Sequence, residues 1–552
     1  MTKNRICDLF AVAMLTMTIA VPSTIAQAQN FSVLYNFGSK SGDPYGPQNA
    51  GIVAQGRDGN LYSTALHGGT SGNGTLFKIT PGGTLTVVYS FDGAEGELPY
   101  GGVTLGTDGN FYGTTYYGGD SNHGTVFKVT PSGSLTLLYS FTNGTDGAYP
   151  LAPPIEGADG NFYGTTAQYI DGGPGSLYKV TPAGKFTTLY TFDVTHGSEP
   201  YAPLVLGTDG NFYGTTNIGG SDGFGEVFKV TPSGKLTVLH NFDNTHGSYP
   251  VGPLIQGSDG NFYGTASSGG TGANGGVIFK ITATGKYTVL HNINKTTEGF
   301  QPYAGLVQAT DGNFYGANDA GGTANDGTIF KLSPTNAYKV LYDFDGTKGS
   351  TPLDTLFQHT NGVLYGDTEM GGTGSVSPCT VGQCGVFYSF NLGLKPFVSL
   401  VSAFGKVGQT AEVLGQGFTG TKSVSFNGTA ATFKVVSSTY LTATVPSGAT
   451  TGSVKVTTPG GTLTSNKQFR VTPQIIGFKP TSGTVGTAVQ ITGVSLTQTT
   501  KVTFGGVKAT SVKVDSDTEV TATVPTGAKT GHIAITTLGG TTTSSGVFTV
   551  SE

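Results

Sequence analysis

Three acidic residues and one histidine fall near equivalent points of a repeated sequence and have the side chains that acid–base chemistry needs. Asp319, Asp367 and Glu369 supply carboxyl groups, and two carboxyl groups that face one cleft can hydrolyse a glycosidic bond. His67 could instead act as the base of a lyase, because its imidazole titrates near neutral pH. An extracellular polysaccharide-degrading enzyme, either a hydrolase or a lyase, is therefore one interpretation of these positions.

A second group of side chains is typical of ligand binding rather than catalysis. Aromatic rings with a polar edge suit glycans and protein surfaces, and such rings occur in the equivalent loops of the second to fourth repeats. The predicted ligand-binding residues are His67, Tyr116, Tyr117, His123, Tyr169, Asp171 and Phe224. The alternative for any one of them is a solvated loop residue with no ligand. The absence of Trp counts against strong stacking on sugars.

These positions belong to a unit that recurs seven times. The sequence Asp-Gly-Asn-Phe-Tyr-Gly, or a close relative, begins at Asp58, Asp108, Asp159, Asp209, Asp259 and Asp311, with a degenerate copy at Asn361. The spacings of 50, 51, 50, 50, 52 and 50 residues are typical of propellers and solenoids. In each unit, β-branched and aromatic runs alternate with turns rich in Gly, which predicts four short strands. A chain with 90 Gly and 26 Pro in 552 residues agrees with this pattern.

The order of the strand motifs predicts a closed ring. The fourth-strand motif first appears at residues 32–37, before any complete unit, whereas the seventh unit stops after its third strand near Phe390. Pairing the N-terminal strand with the last unit removes both exposed edges, which an open solenoid would leave. We therefore predict an all-β fold in which residues 29–392 form a seven-bladed β-propeller, with the N-terminal strand closing the last blade.

Residues shared by the repeats are expected to be structural. The Asp of each Asp-Gly-Asn turn is expected to bond its own turn backbone, with a ring of calcium ions as the alternative. The Phe-Tyr pairs that follow are expected to fill the core between blades. Six repeats also place a Tyr beside Pro, where packing is expected and stacking on sugars around a channel mouth is the alternative. These are Tyr45, Tyr100, Tyr149, Tyr201, Tyr249 and Tyr303.

Loop lengths indicate which face of the ring has a function. From the third-strand aromatic residue to the end of the fourth strand, all six countable copies span 14 residues. By contrast, Phe37 to Asp58 spans 21 residues where later copies span 17 or 18, and Asn361 to Gly385 spans 24 where others span 16 or 17. In a four-stranded meander both variable connections lie at the same end. Because variable loops on a rigid scaffold usually bind ligands, we predict the functional face there.

A second repeat begins after Leu394 and predicts two β-sandwiches. Each copy has about seven short strands in roughly 80 residues and no cysteine, which is typical of an immunoglobulin-like fold without the antibody disulfide. The segments that recur are Phe426-Asn427-Gly428 with Phe504-Gly505-Gly506, and Val445-Pro446-Ser447-Gly448-Ala449 with Val524-Pro525-Thr526-Gly527-Ala528. With residues 480–487, these motifs resemble the IPT/TIG family, which implies one such domain at 393–472 and another at 473–552.

The fifty-residue units also resemble a known family, the GloVer-type tandem repeat of exported bacterial choice-of-anchor proteins. This resemblance covers most of the chain that follows the export signal. It implies a secreted or cell-surface protein and brings no established activity. The N-terminus agrees, because Lys3 and Arg5 precede an apolar stretch and Ala26-Gln27-Ala28 is typical of a cleavage site. We predict that residues 1–28 are a signal peptide.

Cysteine usage follows from this location. Only Cys379 and Cys384 remain after the predicted cleavage, and two nearby thiols in an oxidising compartment are expected to form a disulfide. Half of a metal site is the alternative, and nearby His partners for it are missing from the sequence. Calcium could bind acidic loops, but no ligand spacing defines a site, so we predict no cofactor.

The charge and hydropathy of the sequence exclude several classes of partner. The net charge is −5 and no basic run occurs, which excludes a nucleic-acid footprint. No segment beyond the signal could span a bilayer. We expect a monomeric, exported binding or adhesion protein that recognises a glycan or a surface protein through the variable rim. A polysaccharide-degrading enzyme at the same rim and a structural envelope or matrix protein are the alternatives, and the fold alone does not choose among them.

Overall fold

The computed structural model describes residues 30–47, 52–167, 173–272, 274–375, 380 and 382–551. In these residues the regular elements are β-strands, arranged as seven four-stranded sheets followed by four sheets of four or five strands. None of the described residues forms a helix long and apolar enough to cross a membrane. The predicted signal peptide lies outside the described residues.

The first seven sheets are the blades of the propeller, and six of them are antiparallel meanders of four consecutive strands. Blade one contains Ala54–Gln55, Leu61–Ala65, Thr75–Ile79 and Leu85–Ser90, and blade two contains Thr104–Leu105, Phe111–Thr115, Thr125–Val129 and Leu135–Ser140. Blade three contains Ile155–Glu156, Phe162–Thr166, Ser176–Val180 and Phe186–Thr191, and blade four contains Val205–Leu206, Phe212–Thr216, Glu226–Val230 and Leu236–Asn241. Blade five contains Ile255–Gln256, Phe262–Ala266, Val277–Ile281 and Tyr287–Asn292, and blade six contains Val307–Gln308, Phe314–Asn318, Thr328–Leu332 and Tyr338–Asp343.

The seventh blade joins the two ends of the propeller. Its strands are Phe357–Gln358, Leu364–Thr368, Val386–Asn391 and, outermost, the N-terminal strand Asn30–Asn36. The N-terminal strand pairs antiparallel with the third strand along its length. Across the same seam, Gln55 of blade one and Thr360 of blade seven exchange two hydrogen bonds of 2.9 and 3.1 Å. The predicted seven-bladed ring and its closure are confirmed.

Aromatic stacking between second strands holds adjacent blades together. These strands are buried along their whole length, and their alternate side chains face the two neighbouring blades. Tyr112 of blade two stacks on Phe162 of blade three with 3.6 Å between ring centroids, and Tyr213 stacks on Phe262 at 3.8 Å. The recurring Phe-Tyr pair is therefore core between blades, as its recurrence predicts.

The Asp-Gly-Asn turns are held by a repeated set of hydrogen bonds. Oδ1 of Asp108 accepts a bond from the backbone N of Asn110 at 3.0 Å. Its Oδ2 accepts one from the Asn110 side chain at 2.7 Å and one from the Tyr112 hydroxyl at 2.8 Å. The same bonds recur at Asp58, Asp159, Asp209, Asp259 and Asp311. The structural role expected for this Asp is confirmed.

Two sandwiches follow, each with its own apolar core. In the first sandwich, the four-stranded sheet contains, in spatial order, Ser399–Leu400, Thr410–Leu414, Tyr440–Thr444 and Phe433–Val435. Its five-stranded sheet contains Phe404–Gly405, Gly461–Val471, Gly452–Thr458, Ser423–Phe426 and Thr429–Ala431. In the second sandwich, the four-stranded sheet contains Gln474–Lys479, Ala488–Val494, Glu519–Thr523 and Val512–Ser516. Its five-stranded sheet contains Ser482–Gly483, Gly540–Val550, Gly531–Thr537, Thr499–Phe504 and Val507–Lys508. The sheets hold more strands than the seven expected because edge pieces of two or three residues leave no sequence pattern.

The first sandwich packs on one end of the propeller. We call this end the turn face; it contains the turns between the first and second strands of each blade and between the third and fourth. Arg57 in the turn of blade one forms an ion pair of 2.6 Å with Glu412 and lies 5.0 Å from the ring centroid of Tyr440. Arg470 donates a bond of 2.6 Å to the carbonyl of Thr208 in blade four. The described contacts between sandwich and propeller thus lie on the turn face.

Candidate functional site

The opposite end of the propeller contains the connections that differ in length. Because each blade is an antiparallel meander, the loop between its second and third strands lies at the same end as the link from the preceding blade. Backbone bridges join the two, as between Glu97 and Tyr117 in blade two and between Ser248 and Ser268 in blade five. We call this end the variable face. The differences in loop length predicted to mark the functional face all fall here.

Four tyrosines from blades two and three pack together on the variable face. This tyrosine cluster consists of Tyr100, Tyr116, Tyr117 and Tyr149. The ring centroids of Tyr116 lie 5.1 Å from those of Tyr100 and Tyr149 and 4.6 Å from that of Tyr117. Tyr116 and Tyr149 are 9% and 5% exposed, whereas Tyr100 and Tyr117 are half-buried and present ring surface to solvent. The buried pair therefore supports the two accessible rings.

His123 belongs to the same cluster through a hydrogen bond. Its Nδ1 lies 2.8 Å from the hydroxyl of Tyr149. Tyr149 has a φ of 58°, an uncommon value for a residue with a side chain, and its ring contacts those of Tyr116 and Tyr117 in blade two. The sequence predicts packing for Tyr100 and Tyr149, with stacking on sugars as the alternative; Tyr149 is indeed packed within the cluster, and Tyr100 is half-buried beside it. The available signal for this difference is the order of the dipeptide, because Tyr149 precedes Pro150 whereas Tyr100 follows Pro99.

The structure divides the other predicted ligand-binding residues. Phe224 packs against Tyr249 of blade five, with ring centroids 5.8 Å apart, rather than joining the tyrosine cluster. His67 stacks on Tyr45 of its own blade at 4.9 Å, and burial lowers its pKa. Tyr169 and Asp171 lie outside the described residues.

Two of the three predicted acids approach each other on the variable face. Burial, reinforced by the negative charge of Glu369, raises the pKa of Asp319 to about 6. Oδ1 of Asp319 has no hydrogen-bond partner among the described residues. Burial, the neighbouring Tyr117 and the charge of Glu369 also raise the pKa of Tyr100. Glu369 of blade seven therefore lies within electrostatic reach of Tyr100 in the tyrosine cluster, and Asp319 lies within reach of Glu369.

The third acid does not belong to the rim. Asp367 is 1% exposed, and burial raises its pKa to about 6 although a side-chain hydrogen bond with Asp354 opposes the shift. In blades one to five its position holds a Thr, and in blades one, two, three and five this Thr bonds the next blade, as Thr64 does to the carbonyl of Pro99 at 2.8 Å. The rim position predicted for Asp367 is therefore corrected: alternation along the second strand directs residue 367 into the blade.

A buried glutamate that the sequence analysis overlooked lies below the variable face. Glu226 begins the third strand of blade four, where blades one, two, three and six have Thr or Ser. It is 1% exposed, and burial raises its pKa to about 7. Its Oε2 has no hydrogen-bond partner in the described part of the chain. The signal that could have found it is the acid in a column of hydroxyl residues.

Cysteine and metal chemistry were the remaining expectations. Cys384 is fully buried, and Cys379 lies outside the described residues, so the pairing of these two residues stays a prediction. Within the described ranges, no group of three or more His, Cys, Asp or Glu residues is arranged to hold a metal ion.

These observations define a β-propeller protein with a sandwich packed on one face and a variable opposite face. The Gloeobacter/Verrucomicrobia repeat matches residues 23–155 and 151–378, and the IPT/TIG domain matches residues 396–471 and 473–550. The chain belongs to the Gloeobacter/Verrucomicrobia repeat family and contains two IPT/TIG domains. Both resemblances seen in the sequence are confirmed. No curated protein matches the chain.

The chain is also similar, at low identity, to several solved structures. A fungal alcohol oxidase of the AA5 family, in complex with copper, is 15% identical, covers 79% of this chain and 100% of that chain, and has a TM-score of 0.45. SGBP-B from a complex xyloglucan utilization locus in Bacteroides uniformis is 23% identical, covers 28% of this chain and 48% of that chain, and has a TM-score of 0.15. A surface glycan-binding protein from Prevotella bryantii is 16% identical, covers 28% and 41%, and has a TM-score of 0.22. These scores are too low to indicate a ligand or an activity.

Proposed function

We propose that this is an exported extracellular or cell-surface protein that binds a glycan through the variable face of its propeller, with a surface protein as the other class of partner. The tyrosine cluster is the observation that supports the proposal most directly. It exposes rings on a face that differs between blades, while the first sandwich packs on the face that does not. Binding sites on repeat scaffolds usually fall where the repeats differ.

Tyrosines in this arrangement suit a glycan because each ring offers an apolar surface and a polar edge. The C–H faces of a sugar can pack on the rings of Tyr100 and Tyr117, and the hydroxyl groups can exchange hydrogen bonds. A ring with two side-chain torsions also loses little conformational entropy on binding. The buried neighbours Tyr116 and Tyr149 already hold the exposed rings in place, which lowers that cost further.

Export is part of the same proposal. The signal predicted in residues 1–28 would deliver the chain outside the cytoplasm, and a Cys379–Cys384 disulfide would then close the long loop of blade seven. N-terminal sequencing of the secreted chain and peptide mass mapping without reduction test both points. A mature chain that begins at Met1, or a free thiol at Cys379, would contradict them.

The binding proposal is tested by a glycan array with the purified chain and its Tyr100→Ala and Tyr117→Ala variants. We expect each variant to lose about tenfold or more in affinity, since removing a ring on which a ligand packs costs roughly 1–3 kcal/mol. Tyr201→Ala is the matched control because Tyr201 occupies the link position of Tyr100 in blade four. Equal losses in all three variants, or none in the first two, would contradict a site at the tyrosine cluster.

An enzyme at the same face is the second candidate. Burial and the neighbouring charge of Glu369 raise the pKa of Asp319 to about 6, which suits a carboxyl group that donates a proton in catalysis. Polysaccharide turnover that disappears in both Asp319→Asn and Glu369→Gln would establish this function. Binding that persists while no bond is cleaved would leave the binding protein as the better account.

A further inference from the structure

An open cavity of about 390 Å³ lies on the variable face between blades five and six. Its volume falls in the range of small-ligand pockets. It is lined by Ser268, Asn274, Lys295, Thr296, Phe300 and Gln301. This cavity lies three blades away from the tyrosine cluster of blades two and three, so it is a separate place on the same face.

Both connections around the cavity contain an insertion. The loop of blade five from Phe262 to Phe279 spans 17 residues, whereas its equivalents in blades one, two, three, four and six span 16. The link from Ile293 to Pro302 spans 9 residues, whereas the links into blades two, four, five and seven span 8. These two insertions produce the longest spacing in the repeat, 52 residues. The cavity therefore arises where the repeat departs from its own pattern twice.

The inserted link is held in one shape by its own side chains. Glu298 accepts a bond of 2.9 Å from the backbone N of Asn294 and pairs with His291 at 2.8 Å. The backbone N of Thr296 donates to the side chain of Asn294 at 3.1 Å. Lys295 and Thr296 thus lie at the tip of a fixed turn beside the cavity, so less ordering is needed when a ligand binds.

The chemistry of the lining is specific to this blade. The position of Phe300 holds Glu97, Ala148, Ser198, Ser248 and Ser350 in other blades. The backbone N of Phe300 bonds the carbonyl of Ala320 at 2.9 Å, which fixes the base of the ring. Its ring adds an aromatic surface to a lining that is otherwise made of hydroxyl and amide side chains and one cation.

Lys295 supplies that cation. Among the ion pairs of the described residues none involves Lys295, and the nearby Glu298 is already paired with His291. Two other ionisable groups among the described residues contact the lining residue Gln301: its carbonyl accepts a bond of 3.0 Å from the backbone N of Asp319, and its side-chain amide donates one of 3.3 Å to the hydroxyl of Tyr303. A lysine without an acidic partner beside an aromatic surface favours a ligand with both a C–H face and a negative charge.

We propose that the cavity is a subsite for an anionic sugar residue, one that bears a carboxylate or a sulfate. The sugar ring packs on Phe300, its hydroxyl groups bond the amide and hydroxyl side chains, and Lys295 pairs with the anion. This inference rests on the proposed glycan-binding function and names the chemistry of the ligand. It also makes the cavity a second contact for a chain long enough to reach the tyrosine cluster.

The test is calorimetric titration of the purified chain with three probes of equal length: oligogalacturonate, its neutral methyl ester and a sulfated galactan oligomer. We expect the anionic probes to bind about 3- to 10-fold more tightly than the ester, the range of a partly exposed ion pair, and the preference to disappear at high salt. Lys295→Gln should remove the preference and leave binding of the ester unchanged. Phe300→Ala should weaken all three probes, and Lys348→Gln, on the link of blade seven, should change none.

The outcomes separate this inference from the proposed function. Equal affinities for ester and acid, or an unchanged preference in Lys295→Gln, would overturn the subsite while binding lost in Tyr117→Ala still supported the glycan site. A preference for only one of the two anionic probes would support the subsite and identify the anion. No binding of any probe by the chain would overturn the subsite, while the glycan array would still decide the proposed function.

Discussion

The two faces of the propeller are built from the same repeats and differ in how they use them. On the turn face, one Asp forms the same hydrogen bonds in six blades, and the first sandwich packs against this regular surface. On the variable face, equivalent loop positions hold residues as different as Tyr117, Ser268 and Met370. The comparison teaches that repetition specifies the scaffold, and that departures from repetition mark where the molecule can recognise something.

Residues that break the repeat pattern also occur inside the blades, where they lower the stability of the fold. Glu226 replaces a hydroxyl residue and Asp367 replaces a Thr, and burial raises the pKa of each, to about 7 and about 6. Both lie at the half of the blade that leads to the variable face. Local violations of a repeat pattern are typical of functional regions, where the surrounding fold tolerates them.

Removal of the strand that closes the ring is the strongest test of the scaffold that the blades share. Deleting residues 30–36 removes the outer strand of blade seven and exposes the edge of Val386–Asn391. It also removes Phe31, whose ring stacks on Tyr342 of blade six at 4.0 Å. We expect the loss of cooperative unfolding, measured by circular dichroism and limited proteolysis. A melting curve like that of the intact chain would show that closure contributes little.

A pair of tyrosines from the same blade tests the difference between core and surface. Tyr112→Ala removes a fully buried ring that stacks on Phe162 and bonds Asp108, and we expect it to lower the free energy of unfolding by about 3–5 kcal/mol. Tyr117→Ala should cost less than about 1 kcal/mol, because Tyr117 is half-buried on the variable face. Urea denaturation measures both. Similar losses would mean that the variable face is also part of the stabilising core.

The sequence predicts the scaffold well because each of its rules is local. Turn chemistry, strand alternation and the displaced fourth-strand motif are enough for seven blades and their closure. The site depends on geometry that leaves no such pattern. Because side chains alternate in direction along a strand, Asp367 lies inside the blade. Glu369, two residues later, lies in a loop where side chains follow no such alternation. Phe224 packs on the next blade, and Arg57 meets Glu412 across 355 residues of sequence.

The buried Glu226 predicts a dependence of stability on pH. Its folded pKa of about 7 lies above the ordinary value of 4.5, so the folded state holds a proton that the unfolded state releases. The contribution of Glu226 to the free energy of unfolding should therefore fall as the pH rises from about 4.5 to 7 and change little above that range, and the difference between the intact chain and a Glu226 variant isolates it from the titration of buried histidines such as His67. Glu226→Gln imitates the protonated form, so we expect a gain of about 3 kcal/mol at pH 8 and none at pH 4.

Thermal melts of both chains across pH 4 to 8 measure this difference, with Glu519→Gln on the second sandwich as the control. A constant offset between Glu226→Gln and the intact chain at every pH would contradict a proton bound at Glu226. The binding proposal is not affected by that outcome, because Glu226 lies below the face and not on it.

The smallest expected effect concerns the docking of the first sandwich on the turn face. Arg57 and Glu412 form an ion pair of 2.6 Å with side chains 29% and 15% exposed, so a double-mutant cycle to Ala should give a coupling of about 1 kcal/mol. The exposed pair of Lys348 and Asp345, at 3.5 Å, should give almost none. Glycan affinity should be unchanged in Arg57→Ala, because the pair and the variable face lie at opposite ends of the blades. A loss of affinity without a loss of stability would place part of the binding surface at the junction with the sandwich and would break the division between the two faces.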